Sequence, residues 1–313
     1  MFTATAPGKV ILFGEHAVVY GRPALAAPVV QVRARATVEK TGRPDVALIA
    51  PDLNRSALLS EVHAHNPLAA VVRIVEQYCN CSLSDGYSLS VTSAIPIASG
   101  LGSGAAISVA IIRALMLYMG RGDTITREEV SRLAYEVERL HHGTPSGVDN
   151  TVIAYEQPVY FVRHEPEPLI ESFATARPLR LVIGDTGVRS ATKDVVGDVR
   201  RRWSADTDRF EAIFDACGRI AVAGREALAA GDLPAVGVLM NENHEWLVRM
   251  TVSSDALDHL VVAARRAGAL GAKLSGAGRG GNMIALVTPE TEAAVVDQLL
   301  AAGAARVFTS DVG

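Results

Sequence analysis

Lysine is scarce in this 313-residue chain: arginine accounts for most of the 30 basic residues, and the formal net charge is −4. No dense basic stripe appears, which argues against a nucleic-acid partner. An anionic substrate must therefore be held by a local arrangement of residues rather than by the overall field. The lysines are Lys9, Lys40, Lys193 and Lys273. Because Lys9 and Lys273 lie in glycine-rich motifs and Lys193 lies in a polar segment, we expect more than surface roles for these three.

Cysteine and long apolar runs are also scarce. The three cysteines are Cys79, Cys81 and Cys217, and the Cys79–Cys81 spacing is too tight for a usual zinc pair. Reduced thiols are the expected state. The longest apolar run, residues 105–119, is interrupted by Arg113 and is too short to span a bilayer, and no secretory leader is visible. These features predict a cytoplasmic protein with no membrane partner.

The length predicts two domains. A segment rich in Glu and Pro at residues 164–168 marks the expected boundary, which gives domains 1–165 and 166–313. Runs of strand patterns are mixed with runs of helix patterns, and no regular βαβ alternation is present. The sequence therefore predicts an α+β protein.

Local patterns predict individual elements. Thr126 and Glu129 form a capping-box pattern that begins a helix, which Gly143 is expected to end. Residues 186–194 are expected to form a polar loop. Strands are predicted at residues 2–6 (before a turn at Pro7–Gly8), 29–40, 151–162 (a pair of strands), 179–183, 283–287 and 305–309, and other helices at 67–79, 104–119, 206–230 and 256–267.

A glycine-rich segment at residues 96–106 follows a strand and precedes a helix. Backbone N–H groups at such a helix start can surround phosphate, and the helix dipole favours negative charge there. The segment matches neither of the common nucleotide-binding glycine patterns. A structural turn with small residues for close helix packing explains it about equally well. The candidate phosphate-binding residues are Pro96, Ser99, Gly100, Leu101, Gly102, Ser103, Gly104, Ala105 and Ala106.

A second glycine-rich segment occupies residues 276–281, where four of six positions are glycine. So many glycines are costly in chain entropy. A plain hairpin rarely needs them, whereas close approach of the backbone to a ligand does. The pattern therefore favours a functional role for this segment.

Two carboxylates and one lysine complete the candidate chemistry. Glu138 is placed near the end of a helix, and Asp149 follows a loop rich in Gly and Pro. Such a pair suits phosphoryl transfer, in which one carboxylate holds Mg²⁺ and the other orients or deprotonates the attacking hydroxyl. The alternatives are a solvated helix face for Glu138 and a turn-stabilising role for Asp149. Lys9 could serve as a cation at the site, but its motif taken alone favours a plain strand and turn, and His16 suits either a substrate contact or a structural hydrogen bond.

Together, these motifs resemble those of the GHMP kinase superfamily (galactokinase, homoserine, mevalonate and phosphomevalonate kinases), and they occur in its order. Residues 7–21 (PGKVILFGEHAVVYG) and 143–150 (GTPSGVDN) most closely resemble its mevalonate-phosphorylating members. The resemblance implies a two-domain fold, with a ribosomal S5 domain 2-like N-terminal domain, a ferredoxin-like C-terminal domain and a site between them. It also implies ATP and mevalonate as ligands, Mg²⁺ as cofactor, and a homodimer.

The resemblance further implies roles for single residues. Glu138 corresponds to the Mg²⁺ ligand, Asp149 to the catalytic base, and Lys9 to the lysine beside the substrate hydroxyl. His16, Thr192 and Ala277 correspond to positions near mevalonate. We add Arg189 and Lys193 as candidates for binding its carboxylate.

Two positions depart from the superfamily pattern. Gly104 stands where a second serine usually binds Mg²⁺, so that either Ser103 or water replaces it or the metal depends more on Glu138. Arg279 stands where glycine is common, and it is expected either to touch phosphate or to face solvent. The competing functions are a kinase for phosphomevalonate, homoserine or a sugar, a mevalonate 3-kinase or decarboxylase relative, and a ligand-binding relative without turnover.

Overall fold

The computed structural model describes residues 1–63, 66–81, 86–96, 100–142, 145–164 and 166–312. It is a mixed α+β structure, as predicted. Its strands are β1 (Phe2–Phe13), β2 (Ala24–Lys40), β3 (Ala47–Ala50), β4 (Arg55–Leu58), β5 (Tyr87–Ser93), β6 (Val159–Val162), β7 (Leu169–Ser172), β8 (Leu179–Asp185), β9 (Gly271–Ser275), β10 (Asn282–Val287) and β11 (Arg306–Val312). Its helices are α1 (Pro67–Cys79), α2 (Ser103–Tyr118), α3 (Arg127–His142), α4 (Val148–Tyr155), α5 (Thr192–Ala205), α6 (Thr207–Ala230), α7 (Leu233–Arg249), α8 (Asp255–Arg266) and α9 (Glu292–Ala301).

The chain forms two compact units, and neither is a single stretch of sequence. Unit 1 contains residues 1–8, 32–96 and 102–156. Unit 2 contains residues 9–31, 97–101 and 157–313. Strands β1 and β2 therefore contribute residues to both units. The boundary of the two GHMP kinase domains at residues 165 and 166 stays a prediction.

Unit 1 packs three helices around α2. In its sheet, β5 pairs with the second half of β2 in antiparallel fashion and with β3 in parallel fashion. Helices α1, α3 and α4 all contact α2. Because α2 is covered by neighbours, it is apolar on most faces, and its buried residues include Val109, Ile112 and Leu115. Burial of this helix holds its N-terminus, which begins at Ser103, at a defined place in the unit.

Unit 2 is built on an antiparallel sheet with the strand order β11-β8-β10-β9. Helices α7 and α8 pack on β9, and α9 packs on β8 and β11. The core between these elements is apolar and includes Phe214, Leu247, Leu274 and Met283. The second glycine-rich segment is the connection from β9 to β10, so the hairpin of these two paired strands holds it at both ends.

Several predicted elements are confirmed closely. Asn66 caps α1 by accepting hydrogen bonds from the N–H groups of Leu68 and Ala69. The capping box of α3 forms in both directions: the Thr126 N–H donates to Glu129 Oε2 at 2.9 Å, and the Glu129 N–H donates to Thr126 Oγ1 at 3.2 Å. These contacts are local, which is why the sequence pattern predicts them well.

Three predictions of local structure are wrong. The predicted turn at Pro7–Gly8 lies inside the continuous strand β1. Residues 151–155, predicted as strand, belong to helix α4, because the helix starts at Val148 and buries its β-branched side chains. The predicted polar loop at residues 186–194 ends early, since α5 begins at Thr192.

Candidate active site

The first candidate site feature in unit 1 is the start of helix α2. Gly102 is its N-cap with φ of 73°, a left-handed conformation that suits glycine. The first hydrogen bond of the helix runs from the Ala106 N–H to the Gly102 carbonyl. The N–H groups of Ser103, Gly104 and Ala105 therefore precede the internal hydrogen-bond ladder of the helix. Such a group of donors, at the positive end of a helix dipole, suits an anionic ligand such as phosphate.

Glu138 of α3 lies against this first turn of α2. A Cβ atom added to Gly104 would lie 3.3 Å from Glu138 Oε1, which is tighter than an ordinary contact. The absence of a side chain at position 104 therefore makes room for the Glu138 carboxylate. The predicted metal ligand and the predicted phosphate-binding turn are brought together in unit 1.

Asp149 occupies the first turn of α4, whose N-cap is Gly147 with φ of 88°. The next residue, Asn150, is buried, and its Nδ2 donates to the backbone oxygen of Ser131 at 3.0 Å and to its hydroxyl at 2.9 Å. These bonds fix the start of α4 on α3. Ser131 and Glu138 are seven residues apart, or about two helical turns, so they share a face of α3. The anchor therefore lies on the side of α3 that carries Glu138.

In unit 2, a buried ion pair that the sequence prediction missed joins the turn after β1 to strand β9. Glu15 and Lys273 are both fully buried, and their side chains form a direct ion pair. Lys273 Nζ also donates to the carbonyl oxygens of Leu274 at 2.7 Å and Ile11 at 3.5 Å. Burial lowers the pKa of Lys273 and raises that of Glu15, while their mutual attraction opposes both shifts. Three acceptors match the three protons of an ammonium group, so we assign the pair as ionised.

His16 follows Glu15 and is almost completely buried. Its Nε2 lies 2.8 Å from the carbonyl oxygen of Ala277, which can only accept, so Nε2 carries the proton. Burial lowers the pKa of His16 to about 4. The ring is therefore neutral at pH 7 and presents Nδ1 as an acceptor. The structure brings together two of the predicted substrate residues, His16 and Ala277.

The second glycine-rich segment is held closely by backbone of the same unit. A Cβ on Gly278 would collide with the Val252 carbonyl, and one on Gly280 would lie 2.6 Å from the Val188 carbonyl oxygen. A Cβ on Gly276 would lie 3.4 Å from the carbonyl oxygen of Gly100. Close approach to protein backbone thus accounts for Gly278 and Gly280, whereas the contact at Gly276 is an ordinary one and its φ of +95° is what favours glycine. The prediction that they make room for a ligand is not needed to explain them.

Arg279 of this segment makes contacts with other protein groups of unit 2. Its guanidinium forms an ion pair with Asp198 of α5, and its Nε donates to the Thr251 carbonyl oxygen at 3.2 Å. The side chain is also 33% exposed, so the expectation that it touches phosphate or faces solvent stays a prediction. Asp198 was not identified from the sequence because nothing separates it from the other surface charges of its helix.

The other predicted residues of unit 2 have varied settings. Lys9 is buried, and its N–H donates to the Leu101 carbonyl oxygen at 3.0 Å, which joins β1 to the first glycine-rich segment. Arg189 makes a long ion pair with buried Asp185 at 3.3 Å. Thr192 and Lys193 are exposed in the first turn of α5. Of the remaining predicted residues, Pro96 is described, whereas Ser99 lies outside the described residues, as do Gly143 and Thr144 of the motif before Asp149.

The donor set of unit 1 fits Mg²⁺. Glu138 offers a carboxylate beside the first turn of α2, and Ser103 offers a hydroxyl within that turn. Across the described residues, no group of three or more His, Cys, Asp or Glu side chains could hold a metal ion. Mg²⁺ usually binds through one or two protein oxygens and takes its other ligands from phosphates and water. Among the described helices, none is long and apolar enough to cross a membrane.

Comparisons with known proteins agree with this geometry. The GHMP kinases N terminal domain matches residues 66–157, and the GHMP kinases C terminal domain matches residues 225–305. Mevalonate kinase of Thermococcus sibiricus is 35% identical over 325 residues, which cover 98% of this chain and 95% of that protein.

Solved structures of similar proteins cover the whole chain. A crystal structure of L. major mevalonate kinase in complex with R-mevalonate superposes with a TM-score of 0.85 at 32% identity, over 100% of this chain and 96% of that one. The Methanococcus jannaschii mevalonate kinase superposes with a TM-score of 0.87 at 27% identity, over 99% and 98% of the two chains. The two-domain GHMP kinase fold is thereby confirmed. This chain belongs to the GHMP kinase family and, within it, to the mevalonate kinases.

Proposed function

We propose that this enzyme transfers the γ-phosphoryl group of ATP to the primary hydroxyl of mevalonate and releases 5-phosphomevalonate and ADP. The observation that carries the proposal is the pairing of the open α2 N-terminus with the Glu138 carboxylate in unit 1, in a chain that is similar to mevalonate kinases over nearly its full length. A helix start that can bind phosphate and a carboxylate that can hold a cation are the two requirements of a nucleotide phosphate site.

Each proposed role follows from the setting of the residue. The N–H groups at the start of α2 bind the phosphates of ATP, and Glu138 with Ser103 holds Mg²⁺. When bound, the metal would neutralise the charge that develops on the phosphate during transfer. Asp149 accepts the proton of the attacking hydroxyl, and the hydrogen bonds of its neighbour Asn150 keep it oriented.

Unit 2 supplies the proposed contacts to mevalonate. Neutral His16 offers Nδ1 to a substrate hydroxyl, because its Nε2 proton is already donated to Ala277. Lys9 supplies positive charge beside the reacting hydroxyl. We assign the carboxylate to Lys193, in the exposed first turn of α5, and to Arg189, whose charge Asp185 partly neutralises.

The first test is a substrate panel. Purified enzyme is given ATP and Mg²⁺ with mevalonate, phosphomevalonate, homoserine or galactose, and ADP release is measured. We expect mevalonate alone to give rapid turnover. Phosphorus NMR then identifies the product, because a phosphate on a primary carbon couples to two methylene protons, whereas one on the tertiary hydroxyl does not. Turnover of another substrate, or a product without that coupling, contradicts the proposal.

The second test concerns the catalytic base. The Asp149→Ala variant should lose turnover by at least about 10²-fold, the usual contribution of a general base, while ATP still binds. Glu138→Gln should instead raise the Mg²⁺ concentration needed for half-maximal activity. The matched control is Glu136→Gln, which removes an exposed carboxylate two residues away on the same helix. Near-normal turnover of Asp149→Ala would show that Asp149 is not the catalytic base. The cytoplasmic location and the homodimer stay predictions.

A further inference from the structure

Arg279 adopts a backbone conformation that favours glycine. Its φ is 54°, in the left-handed region, where a residue with a Cβ is strained by about 1 kcal/mol or more. Glycine at position 279 would remove the strain, so some interaction of the arginine side chain must offset it. The other residues of the segment with positive φ are all glycines, namely Gly276, Gly278, Gly280 and Gly281.

The Arg279 side chain makes interactions of the required kind. Its Nη2 forms a close ion pair with Asp198, and its Nε donates to the carbonyl oxygen of Thr251 at 3.2 Å. The backbone N–H of Arg279 donates to the Val252 carbonyl oxygen at 2.7 Å. The Asp198 side chain is only 16% exposed. The hydrogen bonds from Arg279 and then Arg202 hold the pKa of Asp198 well below its usual range.

Asp198 lies on α5, the helix whose first turn carries two of the proposed substrate residues. Val195 and Val199 of this helix are buried in the core of unit 2. Apolar contacts of this kind hold a helix on a surface but do not set its position along the surface sharply, because they are not directional. Thr192 is six residues before Asp198, or roughly 9 Å along the helix axis. Ser190, just before α5, already donates to the Gly278 carbonyl oxygen at 2.7 Å. A directional bond at Asp198 adds a second fixed point along the helix, and two such points set the direction of the turn that carries Thr192 and Lys193.

The other end of the bond is the segment that carries Ala277, which accepts the His16 hydrogen bond. The ion pair thus adds to the hydrogen bond of Ser190 in connecting the two groups of proposed mevalonate contacts within unit 2. We propose that the Arg279–Asp198 pair is a positioning latch, which sets the first turn of α5 relative to the His16–Ala277 contact and so raises the affinity for the mevalonate carboxylate. This inference rests on the proposed function of the enzyme.

Steady-state kinetics of latch variants test the inference. Asp198→Asn keeps the shape of the side chain and removes its charge, and Arg279→Gly removes the arginine while relieving the backbone strain. Each variant should raise KM for mevalonate about tenfold and leave kcat and the KM for ATP within about twofold. The double variant should be no worse than the more strongly affected single variant, because both substitutions break the same bond. Arg279→Lys should recover part of the affinity.

The matched control is Arg201→Ala. Arg201 also pairs with Asp198, at 3.0 Å, but its side chain is 73% exposed and lies on the same helix, so its loss should leave KM unchanged. A salt titration provides a second measurement, in which each enzyme is compared with itself at low salt. Added salt should raise the mevalonate KM of the unmodified enzyme more than that of Arg279→Gly.

The outcomes separate this inference from the proposed function. If the unmodified enzyme does not phosphorylate mevalonate, the proposed function fails. If it does, and the variants lose thermal stability with an unchanged mevalonate KM, the pair is only structural and the latch is wrong. Additive effects of the two substitutions, or an equal rise in the KM for ATP, also overturn it.

Discussion

The two glycine-rich segments of this enzyme look alike in sequence and differ in structure. Around Gly104, at the start of α2, the nearest atom that an added Cβ would meet outside the helix is the end of a flexible side chain, Glu138 Oε1 at 3.3 Å. Around Gly278 and Gly280, between β9 and β10, it is a backbone carbonyl oxygen. At the start of α2 the N–H groups of residues 103–105 precede the helix ladder and suit a ligand, whereas Gly278 and Gly280 are packed against backbone of their own unit.

The difference shows that a cluster of glycines has two separate physical causes. A glycine can keep a helix terminus accessible to an anion, or it can allow two stretches of protein backbone to approach each other. The first cause serves binding, and the second serves rigidity. The same substitution in the two segments should therefore have opposite effects on stability.

The largest effect is expected for Gly278→Ala. The new Cβ would collide with the Val252 carbonyl at a residue with φ of +83°, so the variant should lose about 5 kcal/mol of unfolding free energy or fail to fold. Urea denaturation followed by circular dichroism measures the loss. Gly303→Ala is the matched control, because Gly303 has φ of +88° and open space around it. A similar loss in both variants would show that backbone strain alone, and not close packing, explains the second segment.

Removing the charge of Lys273, which lies on the strand that leads into the second segment, should have the next largest effect. Lys273→Met leaves Glu15 buried without its partner and should cost about 4 kcal/mol of unfolding free energy. Adding Glu15→Gln should restore part of that stability, because the uncompensated carboxylate is then gone. The same denaturation experiment measures both variants. If Lys273→Met is as stable as the unmodified enzyme, Glu15 and Lys273 do not form an ionised pair that stabilises the fold.

The pH dependence of stability tests the contact between His16 and the second segment. Burial lowers the pKa of His16 from 6.5 to about 4, so its contribution is fully present above pH 6.5 and is lost as the pH falls toward 4. The loss is about 3 kcal/mol for a shift of this size. The backbone at position 16 is left-handed, with φ of 59°, and asparagine tolerates this conformation. The His16→Asn variant should therefore fold and lose this part of the pH dependence.

Urea denaturation at several pH values between 4 and 7 measures that slope. Buried His244, whose pKa burial also lowers to about 4, contributes a similar slope that His16→Asn should leave intact. The control is His259→Asn, which replaces an exposed histidine. An unchanged slope in His16→Asn would mean that this ring is not the group that resists protonation.

The smallest effect is expected for Gly104→Ala, and its sign is opposite. Alanine favours the helix, so the variant should gain about 0.5 kcal/mol of unfolding free energy. The new methyl group also displaces the Glu138 carboxylate by a few tenths of an ångström. Mg²⁺ should then bind more weakly, so that half-maximal activity needs a higher Mg²⁺ concentration. Thermal denaturation and a Mg²⁺ titration measure the two effects. Loss of stability instead of gain would remove the contrast between the two segments.

Local signals explain which parts of the fold were predictable. Helices α1 and α3 have their caps within three residues of their first turns, so the sequence contains the whole signal. Helix α4 was predicted as strand because its run Thr151–Val152–Ile153 favours strands when it is taken alone. Burial of these side chains against neighbouring helices decides the helical form. That packing is tertiary and is not visible in a short window.

The candidate site was predictable where one motif contains the chemistry. Glycines at a helix start predicted the α2 terminus. The ion pair between Glu15 and Lys273 was not predicted, because it joins residues 258 positions apart. The scarcity of lysine was the available signal for Lys273, and it indicated a role without indicating a partner. Asp198 had no signal at all, because its importance depends on Arg279 in a distant segment.

The discontinuous unit 2 has a consequence for synthesis of the protein. Glu15 leaves the ribosome early, and its partner Lys273 follows 258 residues later. At usual elongation rates this delay is roughly 13 to 50 seconds. During that time the carboxylate has no lysine to neutralise it and must stay in water, so the turn that carries His16 cannot be buried. The part of the enzyme that we assign to mevalonate thus reaches its final form only when the chain is nearly complete.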